Sequence, residues 1–132
     1  MTALTTGRNT PSRDGVTFEA PVAAGKVIYA GALVCLDADG NATPGATATT
    51  LKGAGRAEDT VTNAGGAAGD VTVPLRRGVF RFANAGDVTR AHIRASAYAV
   101  DDQTVSASSA TNTRSVIGTI EDVDAQGVWV RI

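Results

Sequence analysis

The chain contains 132 residues, with 12 Lys and Arg against 13 Asp and Glu, so its formal net charge is −1 at pH 7. This balance lacks the basic excess that a free-standing nucleic-acid binder normally carries, because neutralising phosphates supplies most of its affinity. The sequence has no apolar run near the roughly 20 residues of a membrane-spanning helix, and its single cysteine cannot form an internal disulfide. We therefore expect one domain, with neither a nucleic-acid nor a membrane partner.

Large apolar side chains are scarce in this composition. Aromatic residues make up 5% of the chain, which also contains 15 glycines. A buried Leu or Phe stabilises a fold by roughly 1.5–3 kcal/mol, far more than a buried Ala does. A small core of this kind predicts that neighbours add stability, either through homo-oligomerisation or through docking on a larger surface.

The first fifteen residues, MTALTTGRNTPSRDG, show no apolar periodicity. Gly7, Pro11 and Gly15 stand among Thr, Ser, Asn and Arg, a composition typical of a loop. We interpret residues 1–15 as an extended N-terminal arm and residues 16–132 as a single β domain, with a frayed terminus as the alternative. Extended at about 3.3 Å per residue, such an arm reaches about 50 Å.

From Val16 onward, short β-type runs alternate with turn residues. The strands predicted in the first half are Val16–Ala20, Lys26–Ala30, Ala32–Leu36 and the weaker Gly53–Thr62. Asp37–Asn41 contains the Asp, Gly and Asn residues that supply positive φ in a hairpin turn. Asn63–Asp70 is rich in glycine and predicts a flexible loop.

The run Val71–Arg76 alternates apolar and polar residues with the period of a strand. Pro74 lacks the N–H needed for a ladder hydrogen bond, so we predict that this strand lies at a sheet edge, where protomers would meet. The following run, Gly78–Ala83, predicts a strand with Phe80 and Phe82 on one face and with Val79 and Arg81 on the other.

One stretch predicts a helix. Asp87 is placed to cap a short turn from Val88 to about Ile93. The β pattern then resumes in Tyr98–Val100, Thr104–Ser106, Ser115–Ile120 and Val128–Ile132, with an acidic stretch at Glu121–Asp124 before the last strand.

The final strand has the clearest alternation: Val128, Val130 and Ile132 face one way, while Trp129 and Arg131 face the other. Many short strands at spacings of about 8–12 residues predict a small β-sandwich or barrel-like domain. The predicted fold class is therefore mainly β, with one short helix and an extended N-terminal arm.

Residues that carry chemistry are few. Cys35 lies within an apolar run, where burial raises the thiol pKa and makes the group inert, and His92 falls in the predicted helix. Turn chemistry accounts for the acidic clusters, and the first does not match the spacing of a calcium loop. The clusters are Asp37/Asp39, Asp101/Asp102 and Glu121/Asp122/Asp124. We expect no catalytic residues, no metal site and no cofactor, and hence no enzyme. A basic patch at Arg76, Arg77 and Arg81 is either a solvated face or a docking site for an acidic partner.

Turn and core motifs recur towards the C-terminal end of the chain. They are AYAVDDQTV at residues 97–105, Thr113-Arg114-Ser115, Ile117-Gly118 and Asp122–Val130. Near the start of the domain, Phe18, Pro21, Val27 and Gly31 follow one another at looser spacing. Over much of residues 18–132, these features resemble phage-encoded capsid decoration proteins, also called cement proteins.

The resemblance implies a non-enzymatic virion protein, produced in the bacterial host cytoplasm and bound to the outer surface of a capsid through its major capsid protein. It also implies a small homo-oligomer, for which we favour a trimer over a dimer because an icosahedral lattice offers three-fold environments. A head–tail joining or tail protein remains an alternative, as does a carbohydrate-binding β-sandwich module.

The resemblance itself assigns no binding residues, so the candidates come from the arm. Guanidinium groups there can pair bidentately with carboxylates. The candidate capsid-binding residues are Arg8, Asn9, Thr10, Pro11 and Arg13.

Overall fold

The computed structural model describes residues 2–132; Met1, the first residue of the predicted arm, lies outside the described residues. Within this range the chain forms twelve strands and one short 3-10 helix, so the fold is mainly β as the sequence predicts. The strands are β1 (Thr17–Pro21), β2 (Val27–Ile28), β3 (Leu33–Leu36), β4 (Ala42–Pro44), β5 (Lys52–Ala57), β6 (Val61–Thr62), β7 (Thr72–Arg76), β8 (Val79–Asn84), β9 (Ser96–Ala99), β10 (Thr104–Ser106), β11 (Val116–Asp124) and β12 (Gly127–Arg131).

Five strands of the first half form an open sheet in the order β1-β7-β5-β3-β4, and β2 and β6 pair as a separate two-stranded sheet. A parallel bridge from Val22, one residue beyond β1, to Ala42 of β4 brings the two outer strands together at one end, so the sheet curls. The sheet core lies inside this curl. Its buried members are Ala20, Val22, Ile28, Ala32, Val34, Ala42, Ala54, Ala57, Val73 and Leu75.

The second half is a closed five-stranded barrel in the order β10-β8-β12-β11-β9. Closure removes free strand edges, which are otherwise sites of unwanted pairing. Its pairs are antiparallel except for β10 with β8, which run parallel. The barrel core consists of Leu33, Cys35, Phe82, Val88, Ala97, Ala99, Val105, Ile117, Ile120, Val128 and Val130.

Strand β3 belongs to both cores. Successive side chains of a strand point to opposite faces, so Leu33 and Cys35 enter the barrel core while Val34 enters the sheet core. The backbones also approach closely where β5 meets β11, because a Cβ at Gly53 would lie only 2.8 Å from the Ile117 carbonyl carbon. Glycine at this position therefore lets the sheet and the barrel pack together.

The predicted edge position of the Pro74 strand is wrong. Strand β7 lies between β1 and β5, and Pro74 is opposite Glu19 of β1. The carbonyl of Pro74 points towards β5 and accepts a 2.9 Å hydrogen bond from the N–H of Glu58, which is one residue past the end of that strand. The absent N–H of Pro74 therefore breaks no ladder hydrogen bond with β5, because β5 ends at Ala57. The outer strands of this sheet are β1 and β4, so β7 offers no edge at which protomers could meet.

The predicted helix is shorter than expected, and its cap is a different residue. The 3-10 helix covers only Arg90–His92, with Thr89 as its N-cap. The carboxylate of Asp87 accepts a 2.6 Å hydrogen bond from the buried hydroxyl of Ser106 in β10 instead. Asp87 therefore binds a strand distant in the sequence and does not cap the helix, although the local sequence favours it as the cap.

Several strand predictions hold, with changed bounds. The strand predicted at Gly53–Thr62 is two strands, β5 and β6, and the acidic stretch Glu121–Asp124 continues β11 instead of ending it. The alternation predicted for β12 is confirmed, since Val128 and Val130 are fully buried while Arg131 is exposed. In β8, Phe82 is buried and Val79 exposed, again as the alternation predicts.

Candidate functional site

The arm is exposed along its whole described length. Residues 2–16 contain no strand or helix, and every one of them is exposed to solvent. The candidate residues Arg8, Asn9, Thr10, Pro11 and Arg13 therefore share one segment. Among the residues that the structure describes, 2–13 make no hydrogen bond to the β domain. The structure leaves their role as capsid contacts a prediction.

Asp14 fixes the point at which the arm leaves the domain. Its carboxylate accepts hydrogen bonds from the N–H of Val16 at 3.0 Å and from the hydroxyl of Thr17 at 2.7 Å. The Thr17 hydrogen bond, followed by that from the Val16 backbone, holds the pKa of Asp14 below its usual value. The first two residues after the arm are thus locally ordered.

A shallow hollow lies beside this exit point. It is lined by Arg13, Asp14, Gly15, Phe18 and Arg77. The guanidinium of Arg77 stacks over the Phe18 ring, 4.8 Å from its centroid. A cation over an aromatic face is attracted by the ring quadrupole, so Arg77 covers an aromatic ring at the rim of the sheet core.

Cys35 and His92 are each held within the surrounding structure. Cys35 is fully buried in the barrel core, and burial raises its pKa to about 12, so the reactive thiolate is suppressed. The Nδ1 atom of His92 accepts a 3.0 Å hydrogen bond from the N–H of Thr89, which ties the ring to its own 3-10 helix. Both residues therefore have local structural roles.

Two acidic side chains hold turns together. Glu121 and Asp122 do not, because they lie in β11 and pair with Arg131 and Arg90. Asp37 Oδ1 accepts from the backbone N–H groups of Asp39 and Asn41 at 2.9 Å in the β3–β4 hairpin. Asp124 acts in the same way in the β11–β12 turn, and its other oxygen accepts from the Trp129 indole N–H at 2.8 Å. This indole hydrogen bond is the main cause of a lowered pKa at Asp124. Within residues 2–132, no group of three or more His, Cys, Asp or Glu side chains is arranged to hold a metal ion.

There are two further arginine–aromatic stacks, one joining the sheet to the barrel and one on the barrel itself. Arg56 of β5 stacks over Phe80 of β8 at 4.5 Å, and Arg81 of β8 stacks over Trp129 of β12 at 5.7 Å. Strand alternation alone places Arg81 and Trp129 on the outer faces of their strands. Alternation does not bring the two side chains together, because the pairing of β8 with β12 joins residues almost fifty positions apart. The predicted basic patch is therefore divided, with Arg77 and Arg81 on separate rings.

Comparison of the chain with protein-family models, with curated proteins and with solved structures finds no match in any of the three. Across residues 2–132, no helix has the length and apolar character needed to cross a bilayer.

Proposed function

We propose that this protein is a structural virion component that binds the exterior of an assembled phage capsid and stabilises it by bridging subunits of the major capsid protein. It acts on the shell as a homotrimer, after production in the bacterial host cytoplasm. Two observations support the proposal: the resemblance of residues 18–132 to decoration proteins, and above all the exposed arm.

The arm carries side chains that can bind a partner, but it makes too few contacts with the domain to be ordered by itself. Leu4 is 71% exposed, and the charged side chains before Asp14 are Arg8 and Arg13. Ordering a backbone costs about 1–2 kcal/mol per residue, so contacts outside the domain must supply the free energy that fixes this segment. A carboxylate- or carbonyl-rich surface is the complement of its two guanidinium groups.

The geometry of the exit point suits a bridging role. The arm starts from Asp14, next to the outer strand β1, and residues 2–13 extend to about 40 Å at 3.3 Å per residue. A reach of this length would let the arm contact a neighbouring subunit beyond the one beneath its own domain. Three arms in one closed oligomer gain affinity from their effective concentration without any new type of contact.

A truncation tests the arm. Shells of the phage whose genome encodes this chain are mixed with the protein and sedimented, and bound protein is quantified. A variant lacking residues 2–13 should lose binding yet keep its thermal midpoint. Asp14 has to be retained, since its carboxylate orders Val16 and Thr17. Equal binding by the truncated and full-length proteins would show that the arm is not the attachment site.

A charge-matched pair separates the role of the arm from nonspecific attraction. The double variant Arg8→Ala and Arg13→Ala removes two exposed cations from the arm, whereas Lys26→Ala with Lys52→Ala removes two exposed cations from the domain. We expect the first to weaken shell binding about tenfold or more and the second to leave it nearly unchanged. Equal losses in both variants would indicate bulk electrostatics.

The cementing role has its own measurement. A ligand that binds only the assembled shell stabilises it by mass action, so shells should melt at a higher temperature when saturated with the protein. Native mass spectrometry of the released protein and its stoichiometry on the shell report the oligomeric state. Equal melting temperatures at saturating occupancy would leave a bound protein without a stabilising function.

A further inference from the structure

A groove of about 390 Å³ lies where the sheet and the barrel meet, and it shares no lining residue with the hollow at the arm's exit. Arg56 of β5 forms one wall, and the first half of β8 together with Trp129 of β12 forms the other. Gly31 lies at its margin, and a Cβ at this glycine would meet no atom within 4 Å, so the groove is open on that side. Its principal lining residues are Arg56, Val79, Phe80, Arg81 and Trp129.

The groove combines apolar walls with guanidinium groups. Arg56 and Arg81 stack on Phe80 and Trp129, which holds both side chains in place before any ligand binds. Arg56 also pairs with Glu58 at 2.7 Å. Arg81, by contrast, has no carboxylate within salt-bridge distance among residues 2–132. Its hydrogen-bond donors are thus available to a ligand.

The orientation of Trp129 is fixed independently. Its indole N–H donates to Asp124 at 2.8 Å, and Asp124 is itself held by the backbone N–H groups of Gln126 and Gly127. A rigid aromatic ring beside an oriented arginine loses little conformational entropy on binding, a property of interaction hot spots.

We propose that this groove binds an extended acidic polypeptide segment of another protein. A carboxylate of that segment pairs with Arg81, and a neighbouring apolar side chain packs against Val79 and Phe80. Charge complementarity supports this occupant, because Arg81 has no salt-bridge partner among residues 2–132 and the lining residues include no Asp or Glu. The 36% exposure of Val79 leaves an apolar contact surface beside the charge.

Charge also argues against two other occupants. The protein's own arm carries Arg8 and Arg13 and no carboxylate before Asp14, so it would bring like charges together in the groove. A nucleic acid would use the aromatic rings for stacking, but a chain with a net charge of −1 lacks the basic excess that neutralises a nucleic-acid backbone.

The single tryptophan of the chain makes this groove directly observable. The full-length protein is titrated with a peptide of about eight residues alternating Asp and Val, a length that crosses the groove as an extended strand, while Trp129 fluorescence is recorded. A peptide with Asn in place of Asp controls for shape and apolar contact. We expect saturable binding of the Asp peptide, weakened by added salt, and about tenfold weaker binding of the Asn peptide.

Variants locate the binding. Arg81→Ala should weaken binding of the Asp peptide about tenfold, measured by calorimetry because the substitution also changes the surroundings of Trp129. Lys52→Ala is the matched control: it removes one exposed cation from the far end of the strand that carries Arg56, and it should leave binding unchanged. Unchanged binding in Arg81→Ala would overturn the proposal.

Two other results would also overturn it. One is tighter binding of an oligothymidine than of the Asp peptide, which would identify a nucleic-acid groove. The other is a concentration-dependent self-association that Arg81→Ala abolishes, which would make a second copy the occupant. Neither result bears on the arm, so this test and the shell-binding test fail independently.

Discussion

The junction between the sheet and the barrel makes Gly53→Ala the most informative substitution in the fold. The new Cβ would lie 2.8 Å from the carbonyl carbon and 3.0 Å from the Cα of Ile117, and closer still to the carbonyl oxygen. These atoms belong to the backbone of β11 and cannot rotate away as a side chain does. The methyl group therefore has to push β5 and β11 apart.

The cost can be worked out from this geometry. Overpacking a well-packed core costs about 1–3 kcal/mol, and a backbone clash lies at the upper end of that range. Alanine also has less conformational freedom than glycine in the unfolded chain, which offsets the destabilisation by about 0.4–1 kcal/mol. We expect a net destabilisation of about 2 kcal/mol, which for a chain of this size lowers the thermal midpoint by about 8 °C.

Calorimetry or circular dichroism measures the midpoint, and Gly15→Ala is the matched control. A Cβ at Gly15 meets nothing within 4 Å, so this variant should melt within about 0.5 kcal/mol of the parent protein. A second readout is the thiol of Cys35, which pairs with Gly53 across β3 and β5 and should react faster in Gly53→Ala. A Gly53→Ala protein that melts like the Gly15→Ala control would refute the close packing of the two halves.

Three further predictions concern single side chains. Cys35 should react slowly with thiol reagents in the native protein, and Cys35→Ser should lower the free energy of unfolding by about 1–3 kcal/mol, because the hydroxyl enters an apolar core; rapid labelling would contradict its burial. The folded-state pKa of Asp124 is lowered, so its stabilisation of the β11–β12 turn is complete above the ordinary pKa of 3.8 and is lost as the pH falls through the lower folded-state pKa. An acid titration followed by Trp129 fluorescence should therefore show a midpoint below pH 3.8. A midpoint at or above pH 3.8 would exclude the hydrogen bond between the indole and the carboxylate. Arg77→Ala should cost about 0.5–1 kcal/mol in thermal unfolding, and a variant as stable as the parent would show that the stack over Phe18 contributes nothing.

Local pattern accounts for what the sequence predicts well. In β8 and β12, apolar residues at every second position face the barrel core, and side-chain alternation needs no knowledge of the partner strand. The hairpin at Asp37–Asn41 is likewise predictable, because Asp37 binds the turn backbone within four residues. The exposed arm follows from its lack of any apolar period.

Non-local pairing accounts for what the sequence does not predict. Pro74 suggests an edge strand, yet the place where β5 ends decides how it is tolerated. Asp87 is a good local cap, but the hydroxyl of Ser106 competes for it from β10. The groove at Arg81 and Trp129 exists only because β8 and β12 pair. In each case the deciding contact joins positions far apart in the chain.

The parallel contact between β10 and β8 gives the barrel a preferred site of local opening. Two residue pairs join these strands, as two join β10 to β9, whereas β8 and β12 share four. Parallel pairing is also slightly weaker per residue than antiparallel pairing. Fluctuations that admit solvent should therefore begin at this seam, with amide protons there exchanging before those between β8 and β12. The hydrogen bond from Ser106 to Asp87 links β10 to the segment following β8, and so it opposes separation of these two strands.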